Sequence, residues 1–135
     1  MKKKTFLVSS LLTFIMMLVL AVPAFAETSS TSFSLKAGDF RGCCNQYLKV
    51  NSNGSVTVSV NDVRGSRYWD IQVIVYNAFS GKELVANFSE NDTRSKTFSG
   101  LKAGEYNIRI ENKSLSHLSG SLGFSWTGDW GRWIE

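Results

Sequence analysis

Hydrophobic and polar residues alternate along most of the chain after residue 50. Val56, Val58 and Val60 alternate with Thr57 and Ser59. The same period of two recurs at 71–75, 106–110 and 122–126, and weaker apolar segments lie at 32–35, 46–50, 83–88 and 96–100. This period predicts half-buried strands, and the glycine-, serine- and asparagine-containing stretches between them predict turns. We therefore predict an all-β fold, a single β-sandwich of jelly-roll type with about eight short antiparallel strands.

The first 26 residues follow a different pattern. Lys2, Lys3 and Lys4 precede an apolar stretch that is strongest at 11–22, and the small-x-small sequence Ala24-Phe25-Ala26 follows. This order is typical of a bacterial secretory signal peptide, so we predict cleavage after Ala26 and a secreted, extracellular protein. The alternative is an uncleaved anchor, but the apolar stretch is short for a membrane span and contains hydroxyl residues. The predicted organisation is a signal peptide at 1–26, a flexible lead-in at 27–32 and one domain at 33–135.

Removal of the leader changes the charge of the protein. The 135-residue chain has 15 basic and 11 acidic residues, and three of the basic residues lie in the leader. The remaining 12 basic and 11 acidic residues give a net charge of +1. Because no basic block remains, nucleic-acid binding through phosphate contacts is not expected. Stable membrane insertion after cleavage is not expected either, since no amphipathic helix is predicted.

Two segments resemble the pre-peptidase C-terminal domains of bacteria, which are small secreted β-sandwiches. The first runs SGLKAGEYNIRIEN from Ser99 to Asn112 and continues into GSLGFSW, and the second is YLKVNSNGSVTVSV followed by WDIQVIVYNAFSGKEL. The likeness covers about residues 34–126. It implies a non-catalytic accessory module that assists folding, secretion or substrate contact. Some members bind calcium through aspartates, but the acidic residues of this chain are scattered among its turns.

Both cysteines, Cys43 and Cys44, are adjacent in the sequence. Secretion places them in an oxidising environment. A disulfide between neighbours is strained, because consecutive Cα atoms lie about 3.8 Å apart and ordinary disulfides prefer about 4.4–6.8 Å. Three arrangements stay open: a vicinal disulfide, a pair of reduced buried thiols, and bonds to another chain.

The aromatic residues predict a ligand-contacting surface. Trp126 continues the alternation at 122–126 and is predicted to lie in the core, whereas Trp130 and Trp133 follow that strand among glycine and polar residues. Flat rings beside hydrogen-bonding groups suit stacking on sugars or on a partner protein. The alternative is that this tail folds back and closes an open end of the sandwich.

A second aromatic group lies in the stretch RGSRYWD from Arg64 to Asp70. Here Arg67, Tyr68 and Trp69 form a predicted rim for glycans or anions, because arginine recognises carboxylates and phosphates. In the alternative, Trp69 anchors the start of the following strand and the arginines remain solvated. The four Asn-x-Ser/Thr sequons, which begin at Asn53, Asn87, Asn91 and Asn112, are interpreted as turn residues.

The sequence provides little support for catalysis. His117 is the single histidine and lies in a polar loop, so a cysteine–histidine pair is the weakest hypothesis. We predict a non-catalytic binding module, with no cofactor, that contacts extracellular polysaccharide or another secreted protein; calcium binding is the less favoured alternative. Rival functions are an extracellular assembly protein and a secreted antimicrobial or toxin-like protein. A monomer is expected, and a disulfide-linked dimer is the alternative.

Overall fold

Antiparallel strands make up most of the protein. The computed structural model describes residues 26–42 and 46–132, with side chains for all of these except 46 and 130–132. None of these residues belongs to a helix long and apolar enough to cross a membrane. The strands in chain order are β1 (Ala26–Leu35), β2 (Phe40–Gly42), β3 (Gln46–Val50), β4 (Gly54–Arg64), β5 (Asp70–Asn77), β6 (Glu83–Ser89), β7 (Ser95–Leu101), β8 (Gly104–Asn112) and β9 (Leu118–Arg132).

The strands form two sheets with the strand order of a jelly roll. In the first sheet the order is β1-β9-β4-β7, and in the second β6-β5-β8 is followed by β2 and β3. Both β2 and β3 pair with β8, one after the other along its length, so together they occupy one strand position. Each sheet therefore has four strand positions. This confirms the predicted all-β fold and its antiparallel jelly-roll architecture.

Strand β9 belongs to both sheets. Its first part pairs with β1 and β4, whereas residues 128–132 pair with β3 of the second sheet. The sandwich is consequently joined along one side into a nearly closed barrel. On the other side, the Lys96 ammonium of β7 donates a hydrogen bond to the Asn87 carbonyl of β6 and lies 5.1 Å from the centre of the Phe88 ring.

The core consists of the inward-facing residues of the alternating strands. Val56, Val58 and Val60 of β4 are fully buried, as are Ile71, Val73 and Val75 of β5. Trp126 is buried too, and its ring stacks on Phe124 with centroids 5.7 Å apart. The predicted core position of Trp126 is thereby confirmed. Burial of each such apolar side chain contributes on the order of 1.5–3 kcal/mol.

The segment 27–32 lies in a strand, which corrects the predicted flexible lead-in. Residues 26–35 form β1, and each of them pairs with a residue of β9. The polar side chains of this segment do not oppose pairing, because the hydrogen bonds of a strand come from the backbone. The side chains of this segment are polar because β1 lies at the edge of its sheet, where alternate side chains face solvent.

We expect Gly128→Ala to destabilise the protein by about 3 kcal/mol, since it adds backbone strain to a steric clash. Gly128 has a φ of 150° at the point where β9 changes sheets. A Cβ atom there would collide with the Lys49 carbonyl oxygen and lie 3.1 Å from the Val50 Cα. Urea unfolding measures the loss. Gly42→Ala is the control, because a Cβ at Gly42 meets nothing within 4 Å. Equal stability of both variants would contradict this role of Gly128.

An ion-pair cluster on the outer face of the second sheet predicts a pH dependence. Glu111 lies 2.6 Å from Lys113 Nζ and 3.0 Å from Arg109 Nε. The hydrogen bond from Lys113, more than the charge of Arg109, lowers the pKa of Glu111 below its ordinary 4.5. A carboxyl whose pKa is lowered by folding stabilises the fold fully at pH values above its pKa in the unfolded protein. This stabilisation is lost as the pH falls through its pKa in the folded protein.

We therefore expect Glu111→Gln to cost up to roughly 1 kcal/mol at pH values above about 5. The difference from the unsubstituted protein should shrink steadily as the pH falls below the ordinary carboxyl pKa of 4.5. Urea unfolding of both proteins across this pH range measures it. A difference that stays constant at all pH values would show that the Glu111 charge does not stabilise the fold.

Candidate functional site

Four loops meet at one end of the jelly roll. They are the β1–β2 loop (36–39), the β4–β5 loop (65–69), the β6–β7 loop (90–94) and the β8–β9 loop (113–117). Backbone hydrogen bonds attach two of these loops to neighbouring strand ends: Gly38 N donates to Asn112 O at 3.0 Å, and Lys113 N donates to Asp70 O at 2.9 Å.

The buried side chain of Asn112 holds part of this end together. Its Nδ2 donates to the carbonyl oxygens of Leu35 and Lys36, each at 3.1 Å, and to that of Ser116 at 2.8 Å. Its Oδ1 accepts a hydrogen bond from Ser114 N at 2.9 Å. Asn112 thus connects the end of β1 to the β8–β9 loop, and every polar atom of its amide has a partner. This role corrects the interpretation of Asn112 as a turn residue.

A shallow groove of about 590 Å³ lies between three of the loops; we call it the loop groove. Its lining consists of Ser66, Tyr68, Trp69, Asp70, Asn87, Ser89, Glu90, Asp92, Ser114, Leu115 and Ser116. Hydroxyl, amide and carboxyl side chains predominate, and the described lining contains three acidic residues and no lysine or arginine. Two positive charges adjoin the lining, since the guanidinium groups of Arg67 and Arg94 lie against the rings of Tyr68 and Trp69.

Hydrogen bonds within the loops fix the walls of the groove. Trp69 N donates to Glu90 Oε2 at 3.2 Å, which joins the β4–β5 loop to the β6–β7 loop. Asp70 N donates to Ser114 Oγ at 2.7 Å, and Ser114 Oγ in turn lies 3.2 Å from Asp70 O, which joins β5 to the β8–β9 loop. Because these hydrogen bonds lie within the protein and join the loops to one another, the walls of the groove need little further ordering on binding.

The predicted rim residues Arg67, Tyr68 and Trp69 occupy different environments. The Tyr68 side chain is 69% exposed, and the Arg67 guanidinium carbon lies 5.6 Å from the centre of its ring. Trp69 is only 5% exposed and forms the floor of the groove, while the Arg94 guanidinium carbon lies 4.7 Å from its ring centre. The prediction of Trp69 as an open contact residue is corrected: its side chain shares the inward alternation of Ile71 and Val73, so it anchors the strand.

The structure does not bring the backbone of Trp130 to the loop groove. β9 continues to Arg132, so Trp130 lies within the strand and not in a loop after it. Trp130 pairs with Leu48, Leu48 pairs with Tyr106, and Tyr106 pairs with Asn77 at the end of β5. Asp70, which lines the loop groove, lies at the beginning of β5. The seven residue steps from Asp70 to Asn77 correspond to about 23 Å of strand, so the backbone of Trp130 is far from the groove. Trp133, Cys43 and Cys44 lie outside the described residues, and the predictions for them stay predictions.

His117 contacts a hydroxyl group, and the predicted absence of catalysis stays a prediction. Its Nε2 lies 2.9 Å from Ser34 Oγ at the exposed end of β1. Among the described side chains, no carboxylate bonds to His117 to orient it as a triad would require. Within 26–42 and 46–132, no group of three or more histidine, cysteine or acidic residues is placed to hold a metal ion. The preference for a calcium-free protein stays a prediction.

Comparisons with known proteins support the fold. No protein-family model matches the chain, and no curated protein matches its sequence. The structure is similar to PliG of Aeromonas hydrophila, a periplasmic inhibitor of g-type lysozyme, with a TM-score of 0.51, 16% identity, and coverage of 75% of this chain and 87% of that chain. At this identity the likeness shows the fold alone.

Two further structures are more distant. The mitogen YPM of Yersinia pseudotuberculosis has a TM-score of 0.45, 6% identity and coverage of 78% of this chain and 88% of that chain. TmCBM61, in complex with β-1,4-galactotriose, has a TM-score of 0.38, 12% identity and coverage of 83% and 90%. None of these three is described as a pre-peptidase C-terminal domain, so that resemblance stays a prediction.

We expect Asn112→Ala to cost about 2–4 kcal/mol of stability, because three carbonyl oxygens lose their shared donor at a buried position. Asn91→Ala is the matched control, since Asn91 begins another sequon and is exposed in the β6–β7 loop. Urea unfolding compares the two variants. If Asn112→Ala were as stable as Asn91→Ala, the amide would not hold the loops together.

Proposed function

We propose that this protein is a non-catalytic binding module that recognises a neutral extracellular polysaccharide in the loop groove. The observation that carries the proposal is the composition of that groove: polar side chains and three acidic residues surround the exposed ring of Tyr68, without lysine or arginine in the lining. The predicted signal peptide would place the module outside the cell, where such polysaccharides occur.

The polar lining suits a ligand that is rich in hydroxyl groups. Each carboxylate of Asp70, Glu90 and Asp92 can accept hydrogen bonds from two hydroxyls. Asn87 contributes a donor, because Gln72 Nε2 already bonds to its Oδ1 at 2.9 Å and leaves its NH₂ group for a ligand. The three acidic residues of the lining outnumber the two adjoining guanidinium groups of Arg67 and Arg94, which disfavours an acidic polysaccharide, so the proposed ligand is neutral.

Tyr68 provides an apolar platform beside these polar groups. Arg67 lies over one face of its ring. The opposite face suits the C–H face of a sugar ring, since aromatic side chains combine a large apolar surface with a polar edge. A shallow groove of about 590 Å³ also suits an extended chain better than a small compact molecule.

A protein partner is the second candidate. Leu115 is 99% exposed and lines the loop groove together with the exposed Tyr68. Tyrosine is enriched in protein interfaces, and a partner on this surface would bury the exposed leucine. PliG, which has the same overall fold, is by its name an inhibitor of g-type lysozyme. A lytic assay with purified g-type lysozyme separates this candidate from the first. Inhibition that Leu115→Asp weakens would favour the protein partner.

We expect the protein to be retarded in native gels that contain a neutral galactan, xylan or glucan, and not in gels that contain polygalacturonate or alginate. Tyr68→Ala should weaken this retardation about tenfold or more, because an exposed aromatic residue at the centre of a binding site typically contributes at least 1–2 kcal/mol.

Phe79→Ala is the matched control, since Phe79 is also an exposed aromatic residue, at 79%, but lies in the β5–β6 loop (78–82) at the other end of the barrel. The proposal fails if none of the neutral polysaccharides retards the protein. It also fails if Tyr68→Ala binds as well as Phe79→Ala.

A further inference from the structure

A second cavity lies at the end of the barrel opposite the loop groove. It has a volume of about 300 Å³ and lies between the β5–β6 loop and the β7–β8 loop (102–103). Leu84, Leu101 and Tyr106 contribute apolar surface, and Lys82 and Lys102 also line it. This cavity is more enclosed than the loop groove, which suits a small ligand better than a polymer.

The apolar part of the lining belongs to the protein core. Leu101 and Tyr106 are buried, and Leu84 packs against the same core cluster. The Tyr106 hydroxyl donates to the Lys102 carbonyl at 2.9 Å. Because this bond satisfies the hydroxyl, the phenol ring presents carbon atoms to the cavity. A ligand would therefore need an apolar body to fill it.

The two lysines give the cavity a positive charge. Glu83, next to Lys82, is paired with Arg109 at 3.7 Å on the outer face of the second sheet. The ion pairs of the described residues include neither Lys82 nor Lys102. Both ammonium groups therefore remain for an anion.

We propose that this cavity binds a small amphipathic monocarboxylate, with an aromatic ring or a short alkyl chain on the apolar floor and the carboxylate between Lys82 and Lys102. The volume agrees with such a ligand, since a cavity of about 150 Å³ accommodates benzene and this one is twice as large. This second proposal does not depend on the proposed function. It concerns the opposite end of the molecule and a small anion, whereas the loop groove is proposed to bind a neutral polymer.

Three probes separate the contribution of the apolar cavity floor from that of the two lysine charges: octanoate, octylammonium and acetate. We expect octanoate to shift the ¹⁵N amide signals of residues 80–84 and 100–106 in a titration. Octylammonium, which has the same chain and the opposite charge, should bind about tenfold more weakly. Acetate lacks the chain and should bind too weakly to saturate. Equal binding of octanoate and octylammonium would overturn the inference, as would equal binding of octanoate and acetate.

The double variant Lys82→Gln/Lys102→Gln tests the assignment to these two residues. It should bind octanoate about tenfold more weakly than the unsubstituted protein while retaining its unfolding transition. The control Lys36→Gln/Arg64→Gln removes the same charge at the loop-groove end, where both side chains are exposed, and should bind octanoate normally. If both double variants lose affinity equally, the effect comes from net charge and the assigned site is wrong. If neither loses affinity, the lysines do not bind the carboxylate.

Discussion

Backbone pairing of β9 with partners in both sheets determines the arrangement of the rest of the molecule. Strands β1 and β4 flank its first ten residues, and β3 pairs with its last five. The crossing is possible because Gly128 adopts a backbone conformation that other residues rarely adopt, close to the backbone of Lys49 and Val50. The two sheets are therefore joined by covalent continuity as well as by their apolar faces, and the loops at each end have fixed neighbours.

The two ends of this barrel differ in chemistry. At one end, three loops bring hydroxyl, amide and carboxyl groups around Tyr68, and the buried amide of Asn112 connects the adjoining backbone. At the other end, two short loops leave a smaller cavity with an apolar floor and two lysines. Both sites lie on loops held by a rigid sheet framework, which is where binding residues are commonly found in β-sandwiches. The proposed ligands differ accordingly, a neutral polyol at one end and an amphipathic anion at the other.

The alternation of apolar and polar residues predicted the central strands, because burial on one face imposes a period of two, and the number and spacing of strands predicted the jelly-roll class. The alternation did not predict the short strand β2 (Phe40–Gly42). It failed at residues 27–32, where the strand is polar and pairing depends on the backbone of β9. The inward position of Asn112 was present in the sequence as the continuation of Tyr106, Ile108 and Ile110. Asn112 was nevertheless interpreted as a turn residue. Its partners are backbone carbonyl oxygens, and the pattern of side chains in the sequence does not predict which carbonyl oxygens lie near it.

The sequence predicted Tyr68 and Trp69 as part of a binding surface but not the rest of the loop groove, because residues near 66–70, 87–92 and 114–116 meet only in the folded chain. Amide chemical-shift mapping with neutral galactan, xylan and glucan oligosaccharides determines whether this groove binds polysaccharide. We expect saturable shifts in these three segments and no shifts in residues 80–84 and 100–106. Shifts confined to 80–84 and 100–106, or no saturable shift with any of these oligosaccharides, would contradict it.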